Sequence, residues 1–277
     1  MSRRTDAYFK TFDNHRLYYE RYQADKPKAV LIFLHGLGEH VGRYQNPIAH
    51  FKNDFTLYLY DQRGHGRSDG ACTHVDAFGD FVRDLEGFID FVVRQEKGRS
   101  VFLIAHSMGG QVALNYLGAH PRTPLVGFIT SSANIRVAVA INPIKKFLGL
   151  NLAKFVPRLR VGNDLKAKHI SRDQAVVQAY KKDPLISHDL TVNMAGEILG
   201  NLETLPTLAG KIKIPGFMLH AGNDKICAKQ GTIDFFEHLG SEDKTLKIYD
   251  DCYHELFNEL VKGQVFADMD AWLAERV

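Results

Sequence analysis

Short, mostly apolar runs recur along the chain and are separated by amphipathic or polar segments. Six of these runs predict buried strands, at residues 29–34, 55–60, 101–105, 127–130, 216–219 and 245–249. A short apolar run of this kind is typical of a parallel strand that is covered on both faces. Two further runs, 8–12 and 17–22, predict a pair of strands joined by a turn at Asp13 and Asn14.

Helical patterns lie between the predicted strands. In the segment 78–92 the large apolar residues share one helical face, at Phe78, Phe81, Val82, Leu85, Phe88, Ile89 and Val92. Strands that alternate with helices build βαβ units, whose helices cover both faces of a parallel sheet. The pattern therefore predicts an α/β fold with a mostly parallel central sheet.

The segment 133–208 interrupts this alternation, because it contains helical and loop patterns without a clear buried strand. We interpret it as a helical cap, inserted between the sixth and seventh strands of a single domain that spans 1–277. Within it, residues 142–156 interleave apolar side chains with lysines. Two interpretations stay open: a helix packed on the domain, or a helix whose apolar face contacts a lipid surface while its lysines face anionic head groups.

Composition excludes several classes of protein. The 277 residues, 45% of them hydrophobic, suffice for one large domain with a full core. The net charge of +3 is too small to indicate a nucleic-acid partner. The three cysteines form no C-x-x-C pair, which argues against a disulfide framework or a zinc site. With no apolar stretch near the roughly 20 residues of a membrane span and no secretory signal, we expect a cytoplasmic protein; its oligomeric state is left open.

The strongest chemical signal is the segment VFLIAHSMGGQVAL at 101–114. An apolar strand runs into Ser107, and a helical pattern follows at once, which is the context of a nucleophile elbow. Ala105 and Gly109 are the small residues that let strand and helix pack closely around such a turn. The sequence therefore predicts Ser107 as a catalytic nucleophile.

A serine nucleophile needs a base, and in this kind of fold the acid and the histidine follow the serine on loops after later strands. His254 lies just beyond the last predicted strand, whereas His220 lies at the end of its own strand, His238 inside a helical pattern, and His169 and His188 in the insertion. We predict His254 as the base.

Asp224 follows the seventh predicted strand and is the candidate acid that orients the histidine. Asp250 and Asp251 are rivals, but they are too near His254 in sequence to lie on a separate loop. We therefore predict a Ser-His-Asp triad of Ser107, His254 and Asp224, which requires no metal or cofactor.

Backbone N–H groups are predicted to stabilise the oxyanion. In such a fold one donor follows the nucleophile and the other lies in the loop after the first parallel strand, which gives Met108 and Leu37. We expect His35 to brace this loop. For His65, in the segment 61–68, a role in a structural hydrogen-bonding loop is favoured over a catalytic one.

Several segments together carry a resemblance to a known family. They are HGLGEHVGRY at 35–44, DQRGHGRS at 61–68, AHSMGG at 105–110, AYKKDPL at 179–185, AGNDKIC at 221–227, DKTLKIY at 243–249 and YHELFNE at 253–259. Over nearly its whole length the chain resembles the monoacylglycerol lipase and lysophospholipase group of α/β-hydrolases. The resemblance implies a cap over an apolar acyl tunnel and a small polar pocket for glycerol, with Glu39, Arg43 and Tyr180 at positions that line or brace that pocket.

The resemblance has one departure of consequence. The mammalian lipase has a histidine that helps to hold glycerol three residues after its catalytic histidine, and this chain has Phe257 there. The expected substrate is therefore a small lipid ester, either monoacylglycerol or, as alternatives, a lysophospholipid or a short ester. Glu39 and Arg43 are alternatively an ion pair that shapes the oxyanion loop, and Cys227 matches a cysteine near the site without a catalytic role.

Two alternatives in function stay open. An aminopeptidase of the same fold would need an acidic cluster to hold an ammonium group, for which Glu39 alone is weak support. A catalytically inactive hydrolase fold could instead serve as a binding module, although the intact Ser, His and Asp weigh against this. Contact with a membrane through the cap is a further open interpretation.

Overall fold

The six predicted apolar runs form strands of one eight-stranded sheet in the computed structural model, which describes residues 2–138 and 155–277. Five of them are central and buried, as predicted, whereas the run 245–249 forms a mostly half-buried strand at one edge of the sheet. The strands are β1 (Arg3–Lys10), β2 (Arg16–Gln23), β3 (Val30–Leu34), β4 (Thr56–Tyr60), β5 (Val101–His106), β6 (Gly127–Ser131), β7 (Arg160–Gly162), β8 (Asp189–Thr191), β9 (Gly216–Ala221) and β10 (Lys244–Tyr249). The order in the large sheet is β1-β2-β4-β3-β5-β6-β9-β10. β2 is antiparallel to β1 and β4, and all other neighbours are parallel. The predicted mostly parallel sheet is confirmed.

Seven α-helices accompany the strands in the described part of the chain. They are α1 (Gln45–Phe51), α2 (Phe78–Gln95), α3 (Met108–Ala119), α4 (Gln174–Lys182), α5 (Val192–Thr204), α6 (Lys229–His238) and α7 (Lys262–Ala274). α2 begins at the residue where the apolar periodicity begins, and it continues to Gln95. None of the helices within 2–138 and 155–277 is long and apolar enough to cross a bilayer.

The core lies on both faces of the sheet, which explains why the strands are apolar at successive positions. In β5, Val101, Leu103 and Ala105 belong to the cluster that packs against α2 and α3. Phe102 and Ile104 belong to the opposite cluster, which packs against α7. Each large apolar side chain buried in this way contributes about 1.5–3 kcal/mol to folding. The sheet is thus a rigid platform from which the loops at its carboxyl edge project.

β1 begins at Arg3 rather than at residue 8, where the apolar pattern suggested its start. This edge strand is almost wholly exposed, and it is held by backbone pairing with β2, which places Arg3 opposite Gln23. The first half of the strand, residues 3–7, is exposed, so it shows no alternation of apolar and polar residues by which to recognise it.

The insertion between β6 and β9 contains a feature that the sequence did not indicate. β7 and β8 pair antiparallel in a small separate sheet, with Arg160 opposite Thr191, so the expectation of helices and loops alone was wrong. Both strands are three residues long and β7 is exposed, so neither produces a buried apolar run. Residues 142–154 of the proposed lysine-rich helix lie outside the described residues.

The described part of the insertion contacts two loops at the carboxyl edge of the large sheet. The Ser187 N–H donates to the Gly38 carbonyl, in the loop after β3, at 2.9 Å. The Glu255 N–H, in the segment after β10, donates to the Ile170 carbonyl at 2.8 Å. Because the carboxyl ends of parallel strands are where ligands bind in open α/β sheets, the insertion is placed to shape a site there.

Two glycines test how closely α3 approaches β3. Gly109 and Gly79 are each the second residue of a helix. A Cβ at Gly109 would lie 2.4 Å from the His35 carbonyl oxygen, whereas a Cβ at Gly79 would meet nothing within 4 Å. We expect Gly109→Ala to lower the free energy of unfolding by about 1–3 kcal/mol through overpacking. Gly79→Ala should be neutral or stabilise the fold by up to about 1 kcal/mol.

Urea denaturation followed by circular dichroism measures both changes. Equal stabilities for the two variants would show that α3 can shift away from β3 without cost.

Candidate active site

Ser107 occupies a strained turn between β5 and α3. Its φ of 53° and ψ of −121° lie where L-residues other than glycine are rarely found. Its N–H donates to the Ser131 carbonyl at 3.1 Å, and its carbonyl accepts from the Asn134 N–H at 2.9 Å. These bonds tie the turn to β6 and the segment after it, so the surrounding structure supports the strained conformation.

His254 and Asp224 lie in line with Ser107. The Ser107 hydroxyl is 2.9 Å from His254 Nε2, and His254 Nδ1 is 2.7 Å from Asp224 Oδ2. With Nδ1 donating to the carboxylate, Nε2 is free to accept the serine proton. The structure thus brings together the three residues that the sequence proposed, each from the end of a different strand of the sheet. The rivals Asp250 and Asp251 lie at exposed positions after β10.

The Asp224 carboxylate is fully buried and amply hydrogen-bonded. Its Oδ1 accepts from the Ile226 and Cys227 N–H groups at 2.8 and 3.0 Å. Burial acts to raise the pKa of Asp224, but the His254 and His220 rings outweigh burial and hold that pKa well below its usual range. Asp224 is therefore a carboxylate at neutral pH.

His220 is a supporting residue that sequence reasoning had only set aside as a base. Its Nε2 lies 3.5 Å from Asp224 Oδ2 and 3.1 Å from the Cys227 carbonyl, and its Nδ1 lies 2.7 Å from the Thr232 hydroxyl. It therefore holds the loop that carries Asp224. The signal in the sequence was its position at the end of β9, four residues before the acid.

Two buried histidines pack against each other beside the turn at Ser107, and their pKa values shift in opposite directions. Burial acts to lower the pKa of His254, but the negative charge of Asp224 overcomes this and raises that pKa above its usual value. Burial and then the neighbouring His254 lower the pKa of His106 well below its usual value, so His106 is neutral. The His106 ring centre lies 4.7 Å from that of His254 and supports it by packing.

The loop after β3 approaches Ser107 closely. A Cβ on Gly36 would lie 3.0 Å from the Ser107 Cβ, so the backbone there runs against the nucleophile. Leu37 is the next residue of this loop, and Met108 is the first residue of α3. The two N–H groups proposed for the oxyanion hole are thus on the two backbone segments that flank Ser107. Their role stays a prediction.

His35 braces this loop, as expected, and His65 makes a structural contact in the neighbouring 61–68 loop. His35 Nε2 accepts from the Gln62 N–H at 2.9 Å, and the Gln62 side chain donates to the His35 carbonyl at 2.7 Å. Burial, with His65 nearby, lowers the pKa of His35 well below its usual value, which keeps Nε2 an acceptor. His65 lies 2.9 Å from the Arg63 carbonyl through Nδ1, a structural contact within the 61–68 loop.

Glu39 and Arg43 lie in a buried polar cluster beside His254. Glu39 Oε1 accepts from the Gly36 N–H at 2.6 Å and from the Tyr44 hydroxyl at 3.2 Å. Arg43 Nη2 donates to Glu255 Oε2 at 2.5 Å, while Arg43 Nε lies 4.0 Å from Glu39 Oε2. The close ion pair of Arg43 is therefore with Glu255, which sequence reasoning missed.

Tyr180, from α4, completes the cluster. Its ring centre lies 5.1 Å from the Arg43 guanidinium carbon, a cation–π contact. Burial, and then the charge of Glu255, raises the pKa of Tyr180, so its hydroxyl stays protonated. Burial and Glu255 likewise raise the pKa of Glu39 to about 7. The three residues proposed for the polar pocket are thus brought together with Glu255, immediately after the candidate base.

Phe257 and Cys227 take no polar part in this cluster. Phe257 is buried among Tyr44, His106 and Phe266. Cys227 is also buried, and burial together with Asp224 raises the pKa of its thiol well above its usual value, so it is not a thiolate nucleophile. No group of three or more His, Cys, Asp or Glu side chains that could hold a metal occurs among residues 2–138 and 155–277.

Comparison with known proteins decides the family. A family model described as Hydrolase_4, serine aminopeptidase S33, matches residues 25–261. The chain belongs to this family. The chain is also similar to human monoglyceride lipase, to which it is 32% identical over 259 residues, covering 90% of the chain and 84% of the human protein. The resemblance to the monoacylglycerol lipase and lysophospholipase group is thereby confirmed.

Two further proteins match the chain over different shares of their own length. A soluble variant of monoglyceride lipase from Saccharomyces cerevisiae, in complex with a substrate analogue, matches with a TM-score of 0.88 at 25% identity, covering 100% of this chain and 96% of that one. An uncharacterised abhydrolase domain-containing protein of Dictyostelium discoideum is 32% identical over 254 residues, which are 91% of this chain. The chain spans 27% of the length of that protein. The predictions of the α/β-hydrolase fold and of a carboxylic ester hydrolase are confirmed.

Replacing the acid tests how this Hydrolase_4 site orients its histidine. We expect Asp224→Asn to lower kcat roughly 1,000- to 10,000-fold, because an amide does not hold His254 in the required tautomer. In the unchanged protein, kcat/KM should fall as the pH drops through the raised pKa of His254, since only the neutral ring accepts a proton. In Asp224→Asn, the pH at which the residual activity declines should be lower, because His254 then lacks the negative charge that raises its pKa.

Asp250→Asn is the matched control, because Asp250 is exposed on the neighbouring loop. At each pH, its kcat/KM for ester hydrolysis should lie within about twofold of that of the unchanged protein. Equal losses in the two variants would contradict the assignment of Asp224.

Proposed function

We propose that the chain hydrolyses monoacylglycerol to a fatty acid and glycerol by a Ser-His-Asp acyl-enzyme mechanism. The observation that supports this most is the line of hydrogen-bonding distances from Ser107 Oγ through His254 to Asp224. The buried polar cluster beside His254 supports a small hydroxylated head group. Human monoglyceride lipase, to which the chain is similar, is named for the same substrate class.

Acylation uses the geometry around Ser107. Its oxygen attacks the ester carbonyl carbon while His254 Nε2 takes the hydroxyl proton. The N–H groups of Leu37 and Met108 stabilise the oxyanion that forms, in a site that burial keeps poor in water. His254 then gives the proton to the leaving glycerol oxygen, and the carbon–oxygen bond of the ester breaks.

Deacylation repeats these steps with water. His254 Nε2 takes a proton from a water molecule, which attacks the acyl carbon. The second oxyanion uses the same two N–H groups. Its collapse breaks the bond between the acyl carbon and Ser107 Oγ, which takes back the proton from His254. The fatty acid leaves, and no metal or cofactor takes part.

The head-group pocket uses Glu39, Arg43 and Tyr180. Arg43 Nε is buried and has no hydrogen-bond partner among the described residues, and it lies 4.0 Å from Glu39 Oε2. A hydroxyl group both accepts and donates hydrogen bonds, so one glycerol hydroxyl can bridge these two atoms. The described part of the insertion, residues 155–208, serves as a cap over this pocket, supported by its contacts with the loops after β3 and β10.

Release of fatty acid from two lipids with the same acyl chain tests the proposal. We expect higher kcat/KM for the monoacylglycerol than for the lysophosphatidylcholine, and loss of both activities in Ser107→Ala. The rate of fatty-acid release from monoacylglycerol is also compared with the rates of hydrolysis of an aminoacyl ester that has a free amine and of its N-acylated form.

A higher kcat/KM for the lysophosphatidylcholine would leave the Ser-His-Asp mechanism intact and overturn monoacylglycerol as the preferred substrate. Preference for the free amine would favour an aminopeptidase-like site. No release from any ester by the folded protein would contradict ester hydrolysis and favour a binding role.

A further inference from the structure

The cluster beside His254 contains more negative than positive charge. Arg43, Glu39 and Glu255 each have a side chain that is at least nine-tenths buried. One guanidinium and two carboxylates sum to a single negative charge when all are ionised. Tyr180 adds no charge, because its hydroxyl stays protonated. A head group that enters here meets a site with little water to screen that charge.

Glu255 is the residue that makes the net charge of the cluster negative. Its carboxylate accepts from Arg43 Nη2 at 2.5 Å and from Asn258 Nδ2 at 2.9 Å. Its backbone N–H is bonded to the Ile170 carbonyl of the insertion at 2.8 Å. The guanidinium is thus engaged by Glu255, and Glu39 instead receives N–H and O–H donors from Gly36 and Tyr44.

We propose that Glu255 makes the head-group pocket select uncharged heads and exclude anionic ones, so that acylglycerols are accepted and lysolipids with a net negative phosphate head are rejected. This inference rests on the proposed function, because it assigns a specificity to the same pocket. Glu255 acts beside the substrate, on the charge of the pocket, and takes no part in proton transfer at Ser107.

The hydrogen-bonding groups of the cluster agree with this selection. The free Arg43 Nε–H and the Glu39 Oε2, 4.0 Å apart, together offer one donor and one acceptor. A hydroxyl satisfies both, whereas a phosphodiester offers only acceptors and leaves Glu39 facing a like charge. A phosphate that approached Arg43 would also have to displace the bond to Glu255. Phe257, in the apolar core, supplies no compensating cation.

The test compares 1-monoacylglycerol with lysophosphatidylglycerol of the same acyl chain, presented in micelles of an uncharged detergent. The measured quantity is the ratio of the two kcat/KM values, at about pH 8, where Glu39 is ionised because its pKa is about 7. We expect a strong preference for the monoacylglycerol. Glu255→Gln keeps the hydrogen-bond acceptor and removes the charge, and should narrow the ratio roughly 10- to 100-fold.

A second variant keeps the proposal testable if Glu255→Gln does not fold. Glu39→Gln removes the other negative charge and should narrow the ratio in the same direction. Glu259→Gln is the matched control, because Glu259 is also buried and paired with an arginine, Arg172, at 3.1 Å. It tests the effect of weakening a buried ion pair in the same segment, and we expect it to leave the ratio within about twofold of the unchanged protein.

Each outcome decides between the two proposals. A narrowed ratio in folded Glu255→Gln, with an unchanged ratio in Glu259→Gln, supports the charge selection. An unchanged ratio in folded Glu255→Gln overturns it, and the ratio in Glu39→Gln decides only where Glu255→Gln does not fold. Hydrolysis of monoacylglycerol with the same ratio in all variants overturns the charge selection and leaves the proposed function intact. An equal narrowing in Glu259→Gln overturns it as well. Hydrolysis of neither lipid by a folded protein overturns the proposed function and this inference with it.

Discussion

The site depends on the close approach of α3 to the end of β3. A side chain at position 109 would overlap the carbonyl oxygens of Leu34 and His35, so only glycine lets the helix begin at that point. The same approach puts Gly36 against Ser107, which takes a strained conformation there with φ of 53°. One packing contact thus sets the position of the nucleophile relative to the loop that carries Leu37, and the pairing of β3 with β5 holds it.

The parts of the site that follow from this sheet were predictable from the sequence. Ser107, Asp224 and His254 each follow a short apolar run, and parallel strands place the residues that follow them at one edge. The buried strands were recognisable because both of their faces are covered. His35 was rightly expected to brace its loop, since a residue directly after a central strand has little room to move.

The electrostatic partners were not predictable, because they join distant parts of the chain. Arg43 and Glu255 are 212 positions apart, and the sequence pointed instead to Glu39, at helical spacing from Arg43. The short exposed strand β7 and the exposed first half of the edge strand β1 left no apolar signal. Burying this many charges costs free energy unless each is paired. Glu39 has its nearest cation only at 4.0 Å and without a hydrogen bond, which is the kind of local conflict that marks functional sites.

The central claim is that Ser107 is a nucleophile activated by His254. Intact-mass spectrometry during reaction with an alkyl fluorophosphonate, followed by peptide mapping, tests it most directly. The account predicts one adduct per chain, on Ser107, forming at least about 100-fold more slowly in His254→Ala, because the serine then lacks its base. An adduct on another residue, or equal rates in the two proteins, would contradict it.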